Sequence, residues 1–136
     1  MEKRQILVMT FGTFDIFHPG HEYYLSQASR LGDTLITVIA RDTTVLKIKG
    51  KKPRESEDTR LFNVQKSGVV SQAVLGSKES PFDLISKHSP DILCFGYDQR
   101  SFNDERLEAF LKEHNLHPKI VIIPPFEPEK WKSSKL

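Results

Sequence analysis

Apolar positions along this chain fall in short continuous runs, separated by longer stretches of amphipathic pattern. Ile6–Phe11 is apolar apart from one threonine, as expected of a parallel strand covered on both faces. Pro19–Leu31 predicts a helix: Tyr24, Leu25, Ala28 and Leu31 recur at helical spacing, Pro19 suits a first helical position, and Gly32 suits a C-terminal stop. Thr34–Ala40, rich in Ile, Val and Thr, predicts a second strand. Ser56 is placed to cap a helix over Glu57–Lys66, with Leu61 and Val64 turned inward. A short strand is expected over Gln72–Leu75, a short helix over Pro81–His88, and a strong strand over Asp91–Phe95. Asp104–Asn115 is amphipathic, with Leu107, Phe110 and Leu111 on one face, and Lys119–Ile123 is the last expected strand. The segment Pro124–Leu136 holds three prolines and is expected to be irregular.

Strands alternating with helices imply right-handed crossovers and an α/β fold: an open parallel sheet of about five strands with helices on both faces. Ligands of such sheets bind at the carboxyl ends of the strands, beside the point where strand order reverses. Chemistry is therefore expected in Gly12–His21, Arg41–Arg54, Gly96–Arg100 and Pro124–Leu136.

A chain of 136 residues has the length of one domain, spanning 1–136. Apolar residues at 38% and charged residues at 28% are a globular composition. The longest apolar runs, Ile6–Met9 and Ile120–Ile123, are too short to span a bilayer, so no membrane partner is expected. The polar start Met1–Gln5 lacks the apolar region of a secretory signal, and the single Cys94 excludes an internal disulfide, so a cytoplasmic location is expected. A net charge of +2 does not call for nucleic acid. Lys47, Lys49, Lys51, Lys52 and Arg54 do cluster without an intervening acid, as a solvated loop or as a grip on phosphate.

The loop Gly12–His21 is the most informative. Gly12 lets the backbone approach a ligand, and the helix start behind it offers N–H groups and a positive dipole end to phosphate. His18 and His21 share one face of a helical turn, and two imidazole donors there stabilise charge developing on a phosphoryl oxygen. Gly20 between them leaves room for a ligand. Each histidine taken singly is as easily an ordinary surface residue, and a zinc pair would want further ligands of matching spacing.

The string Gly12-Thr13-Phe14-Asp15-Ile16-Phe17-His18-Pro19-Gly20-His21 resembles the His-x-Gly-His signature of the cytidylyltransferase-like nucleotidyltransferases. The tail Trp131-Lys132-Ser133-Ser134-Lys135 resembles their second signature, which binds the nucleoside triphosphate. Ala40-Arg41-Asp42, Lys49-Gly50 and Gly96-Tyr97-Asp98-Gln99 are most similar to archaeal-type FAD synthases, which adenylylate FMN. The glycerol-3-phosphate cytidylyltransferases share the layout, but their Gly-Asp-Asp-like loop and Arg-Thr-x-Gly-Ile-Ser-Thr-Thr tail are absent.

The resemblance implies a Rossmann-like fold and nucleotidyl transfer to a phosphorylated acceptor with loss of pyrophosphate. ATP and FMN are favoured, with CTP and a polyol phosphate as the alternative. Also implied are magnesium bound with the triphosphate and a homodimer. His18, His21 and Lys47 or Lys49 become catalytic candidates. Gly12, Thr13, Phe14, Gly20, Asp98, Ser133, Ser134 and Lys135 become nucleotide-binding candidates, and Asp15, Arg60, Tyr97 and Gln99 candidates for acceptor or phosphate. Asp15 is as apt to cap its own loop as to orient a magnesium-bound water. Gly96–Gln99 taken alone is a turn. Phe126 and Trp131 suit stacking on a base or flavin, or anchoring the tail. In the family the second signature opens a final helix; with the sequence reaching only Leu136, weaker triphosphate binding by the tail is expected. The alternative from another class is a nucleotide-binding module without turnover.

Overall fold

The computed structural model describes residues 5–80, 82–97, 99 and 105–126. The chain runs β1 (Leu7–Gly12), α1 (Pro19–Ser29), β2 (Thr34–Ile39), α2 (Asp42–Lys49), α3 (Glu57–Lys66), β3 (Gln72–Leu75), α4 (Asp83–His88), β4 (Ile92–Gly96), α5 (Glu105–Glu113) and β5 (Lys119–Ile123). The strands form one five-stranded parallel sheet in the order β3-β2-β1-β4-β5, a Rossmann-like arrangement. Strand order reverses between β1 and β4, which puts the expected ligand crevice at their carboxyl ends.

Alternation along each strand divides the core in two. Val8, Leu35, Ile39 and Cys94 face Leu25 and Ala28 of α1 and Val64 of α3. Met9, Phe11, Ile36, Val38, Leu93 and Phe95 face Ile85 of α4 and Leu107 and Leu111 of α5. Covering both faces explains why the strands are apolar almost throughout rather than at every second position. Thr10 and Thr37, opposite each other in β1 and β2, are buried and bonded hydroxyl to hydroxyl at 2.8 Å, so each polar side chain is satisfied. Cys94 packs in the same layer, and burial pushes its thiol up to about 12, which leaves it an inert apolar residue.

The strands and helices fall where the hydrophobic pattern puts them, with one addition. Residues 42–49, expected to lie within a loop, form α2. Its N-terminus is capped from outside: the Asp42 N–H donates to Glu57 Oε1 at 2.8 Å, and Gly50 closes the helix in the left-handed conformation at φ 78°. Among the described residues, no helix is long and apolar enough to cross a membrane.

Candidate active site

A cavity of about 680 Å³ opens at the carboxyl ends of β1 and β4. That volume is in the range of small-molecule sites. One wall is the β1–α1 loop, Gly12–Asp15, with His18, Gly20 and His21. A second is α2, through Thr44, Val45, Ile48 and Lys49. The third is aromatic: Tyr23, Tyr97 and Phe126, with Pro124 and Pro125 beside them. Tyr23 and Phe126 pack ring to ring at 5.4 Å.

The two histidines are locked into the start of α1. Gly20 N–H donates to His18 Nδ1 at 3.0 Å, and His18 N–H donates to His21 Nδ1 at 3.3 Å. This is a capping box in which imidazoles replace the usual hydroxyl and carboxylate. Because both Nδ1 atoms accept, the ring hydrogen of each neutral imidazole sits on Nε2. The rings stack at 3.8 Å with 24° between their planes, and His21 packs edge-on against Phe14 and beside Phe17. Gly20 is required by space: a Cβ there would lie 2.9 Å from His18 Cε1. At Gly12 a Cβ would lie 2.6 Å from the Phe14 ring.

The loop that presents these residues is strained. Phe14 and Ile16 take φ values of 54° and 53°, a left-handed conformation costing about 1–3 kcal/mol each for residues with a Cβ. It is held by a second layer drawn from the α2–α3 segment. Asp15 accepts from Arg54 N–H and Glu55 N–H at 2.8 and 2.9 Å, and Ile16 N–H donates to Glu55 Oε1 at 2.9 Å. Of the two roles open to Asp15, its contacts are those of a loop tie. Burial pushes its carboxyl up, but the Arg54 and Glu55 N–H groups and the Arg60 and Arg54 charges outweigh that, so its pKa lies below the ordinary 3.8.

That lowering has a sign. The contribution is full above the ordinary carboxylate value and is lost as pH falls through the depressed one. Asp15→Asn should therefore be less stable than wild type at neutral pH, and the gap should close as pH falls below the ordinary carboxylate value and through the depressed one. Urea melts at several pH values test this; a gap that stays constant with pH would contradict it.

Arg60 lies behind this loop rather than in the cavity. It is fully buried, and its guanidinium donates to Glu55 O at 3.0 Å, Thr13 O at 2.8 Å and Asp42 Oδ1 at 2.6 Å. The expectation that Arg60 reaches a phosphate is corrected on this point: the side chain is fully buried, does not line the cavity, and each of its three nitrogens donates to a protein oxygen. Asp42 and Glu57 cap each other's helices, and Glu57 Oε2 pairs with Arg41 at 3.1 Å. This network fixes α2, and hence Lys49, relative to the histidine loop. Helical spacing puts Thr44, Val45, Ile48 and Lys49 on the cavity face, while Lys47 lies off it and does not line the cavity. Of the two lysines, Lys49 lines the cavity and Lys47 does not.

Tyr97 lines the cavity and is exposed. Gln99 also borders it, but its carboxamide is bonded to Phe11 O and Gly96 N–H. Tyr24, which the sequence reading placed only in the helix core, joins that cluster through its hydroxyl. Asp98, Trp131, Ser133, Ser134 and Lys135 lie outside the described residues. Among the described residues, no group of three or more His, Cys, Asp or Glu is placed to hold a metal ion.

The cytidylyltransferase-like family model matches residues 9–136. The FAD synthase of Methanosarcina barkeri is 44% identical over 117 residues, covering 86% of this chain and 82% of that protein. The FAD synthase of Methanocella paludicola is 41% identical over 128 residues, covering 94% and 90%. The solved structure of a lipopolysaccharide core biosynthesis protein from Thermoplasma volcanium superimposes with a TM-score of 0.83 at 36% identity, covering 91% of this chain and 100% of that one. With the paired histidines at the head of α1 and Lys49 across the cavity, the chain belongs to the cytidylyltransferase-like family, beside these FAD synthases.

Proposed function

We propose that this chain transfers AMP from ATP to FMN, forming FAD and releasing pyrophosphate. The observation that carries the reading is the 44% identity to a protein named FAD synthase across 86% of the chain. The cavity supports it: a helix start with two histidines and a lysine faces an aromatic wall. A phosphate oxygen of FMN attacks the α-phosphorus of ATP, a phosphoanhydride bond forms, and the bond from the α-phosphorus to the bridging oxygen of pyrophosphate breaks. Such a reaction asks the protein mainly to position two phosphates and offset charge.

Nε2–H groups of His18 and His21 suit the α-phosphoryl oxygens, aided by the positive end of α1. Lys49 suits the triphosphate oxygens as a compact cation. Tyr23, Tyr97 and Phe126 offer faces for a planar ring system. Among the described residues no three or more His, Cys, Asp or Glu gather for a metal ion, and Asp15 is engaged by backbone N–H groups. Magnesium then enters as part of the substrate, MgATP, where it shields phosphate charge.

Pyrophosphate release with ATP and FMN, set beside CTP and glycerol 3-phosphate, tests the reading. Turnover only with the second pair would overturn it in favour of a cytidylyltransferase; triphosphate binding without turnover would leave a nucleotide-binding module. The two lysines should separate in the same assay. Lys49→Ala should raise the KM for the triphosphate about ten-fold or more, the worth of one charge-assisted bond. Lys47→Ala should change it less than about two-fold, as an exposed charge away from the ligand. Equal effects at both positions would remove Lys49 from the role.

A further inference from the structure

The strands that flank the crevice stop pairing before they reach it. β1 and β4 are in register at Val8 with Ile92, Met9 with Leu93 and Thr10 with Cys94, and no further. β1 continues beside β2 as far as Gly12, and β4 beside β5 as far as Gly96. Backbone groups past Thr10 and Cys94 thus face a gap in the sheet, where a polar group left unpaired away from water is costly.

The Gln99 side chain bridges that gap in the manner of a peptide group, with the Tyr24 hydroxyl beside it, 3.5 Å from Phe11 O. Gln99 Nε2 donates to Phe11 O at 2.7 Å, and its Oε1 accepts the Gly96 N–H at 2.6 Å. The Tyr24 hydroxyl donates to Cys94 O at 2.9 Å and lies 3.2 Å from the same Gln99 oxygen. Phe11 leads directly into the histidine loop. Gly96 leads to Tyr97, whose N–H donates to Ile123 O at 3.1 Å next to Pro124. The carboxamide therefore ties the phosphate-binding side of the cavity to its aromatic side.

We propose that Gln99 is a positioning residue whose carboxamide, supported by Tyr24, sets the separation of the two sides of the nucleotide crevice. The inference rests on reading the cavity as a nucleotide site. The brace needs one donor and one acceptor on a planar group. A carboxylate supplies the acceptor but cannot donate to Phe11 O unless it is protonated.

That requirement makes Gln99→Glu the informative variant. MgATP binding to the full chain would be followed by calorimetry from about pH 7 down toward pH 4, through the ordinary glutamate range, with wild type and Gln99→Ala measured alongside. Gln99→Glu should bind about ten-fold more weakly than wild type at the high end. It should recover toward wild type as its carboxyl takes up a proton. Gln99→Ala should stay weak throughout, and its Gly96 amide should exchange with solvent faster than in wild type. Wild-type affinity in Gln99→Glu at every pH, or a loss that ignores pH, would overturn the proposal. Should Gln99→Ala not fold, Gln99→Glu, of nearly the same shape, carries the test. Failure of wild type to bind MgATP would instead sink the nucleotide reading; the Gly96 exchange rate would then still decide whether the brace exists, an unchanged rate in Gln99→Ala overturning it.

Discussion

His18→Asn should melt close to wild type and lose turnover by roughly 10²–10³-fold, the usual cost of removing one transition-state donor. The variant separates two duties of one side chain. His18 Nδ1 accepts Gly20 N–H and so caps α1. Asparagine is among the best N-capping residues and preserves that bond. It cannot extend a donor to where the imidazole Nε2–H points. His18→Ala loses both duties and should in addition lose about 1 kcal/mol of stability. His21→Ala should likewise lose turnover, because its Nδ1 is occupied by His18 N–H and its ring hydrogen is directed by the same device. Near-wild-type pyrophosphate release by His18→Asn and His21→Ala would place the chemistry elsewhere. Parallel falls in melting temperature and activity would mean that the histidines only hold the helix.

Arg60→Leu should cost about 2–4 kcal/mol of folding stability, the scale for stranding hydrogen-bond acceptors behind a buried guanidinium whose charge partner, Asp42, is itself one-third exposed. Its guanidinium is fully buried, and its loss strands Asp42 Oδ1, Thr13 O and Glu55 O together. For a chain of this size, a fall in melting temperature of about 10 °C or more is expected. Adding Asp42→Asn should cost less than the two single losses summed, since the carboxylate left behind no longer needs a cation. Strict additivity of the pair would mean that the 2.6 Å contact carries no coupling. A variant with unchanged melting but weaker substrate binding would return Arg60 to the phosphate role expected from sequence.

These two side chains also mark how far the sequence could be read. The strand Lys119–Ile123 was legible because a run of Ile and Val followed by two prolines leaves few alternatives. The Ser56 cap was legible because a hydroxyl before an acidic first turn is a local signal. α2 was not, since Thr43, Thr44 and Val45 have weak helix propensity and its N-terminal cap comes from Glu57, 15 residues away. Lys49-Gly50 was the available sign, a basic last turn followed by a C-capping glycine. Arg60 misled for a related reason. Arginine is rarely fully buried, and its three acceptors come from residues 13, 42 and 55, a meeting that no linear pattern announces. Gln99 was expected to reach acceptor or phosphate; it borders the cavity, but its bond to Phe11 O spans 88 residues of sequence, so that contact emerges only from the parting of two strands.

The placement of β1 at the centre of the sheet has a consequence for how the chain acquires its shape. Its two neighbours are β2, which follows soon after, and β4, just before which Asp91 accepts Leu7 N–H across 84 residues of sequence. Pairing on the first side can form early. On the second it must wait until β4, beginning at Ile92, has been made. Closing so long a segment precedes the reward of the contact, which favours slow folding. During synthesis an apolar strand edge with unsatisfied N–H and C=O groups remains open until β4 arrives. That interval is when this chain is most exposed to pairing with another copy of itself and most in need of a chaperone.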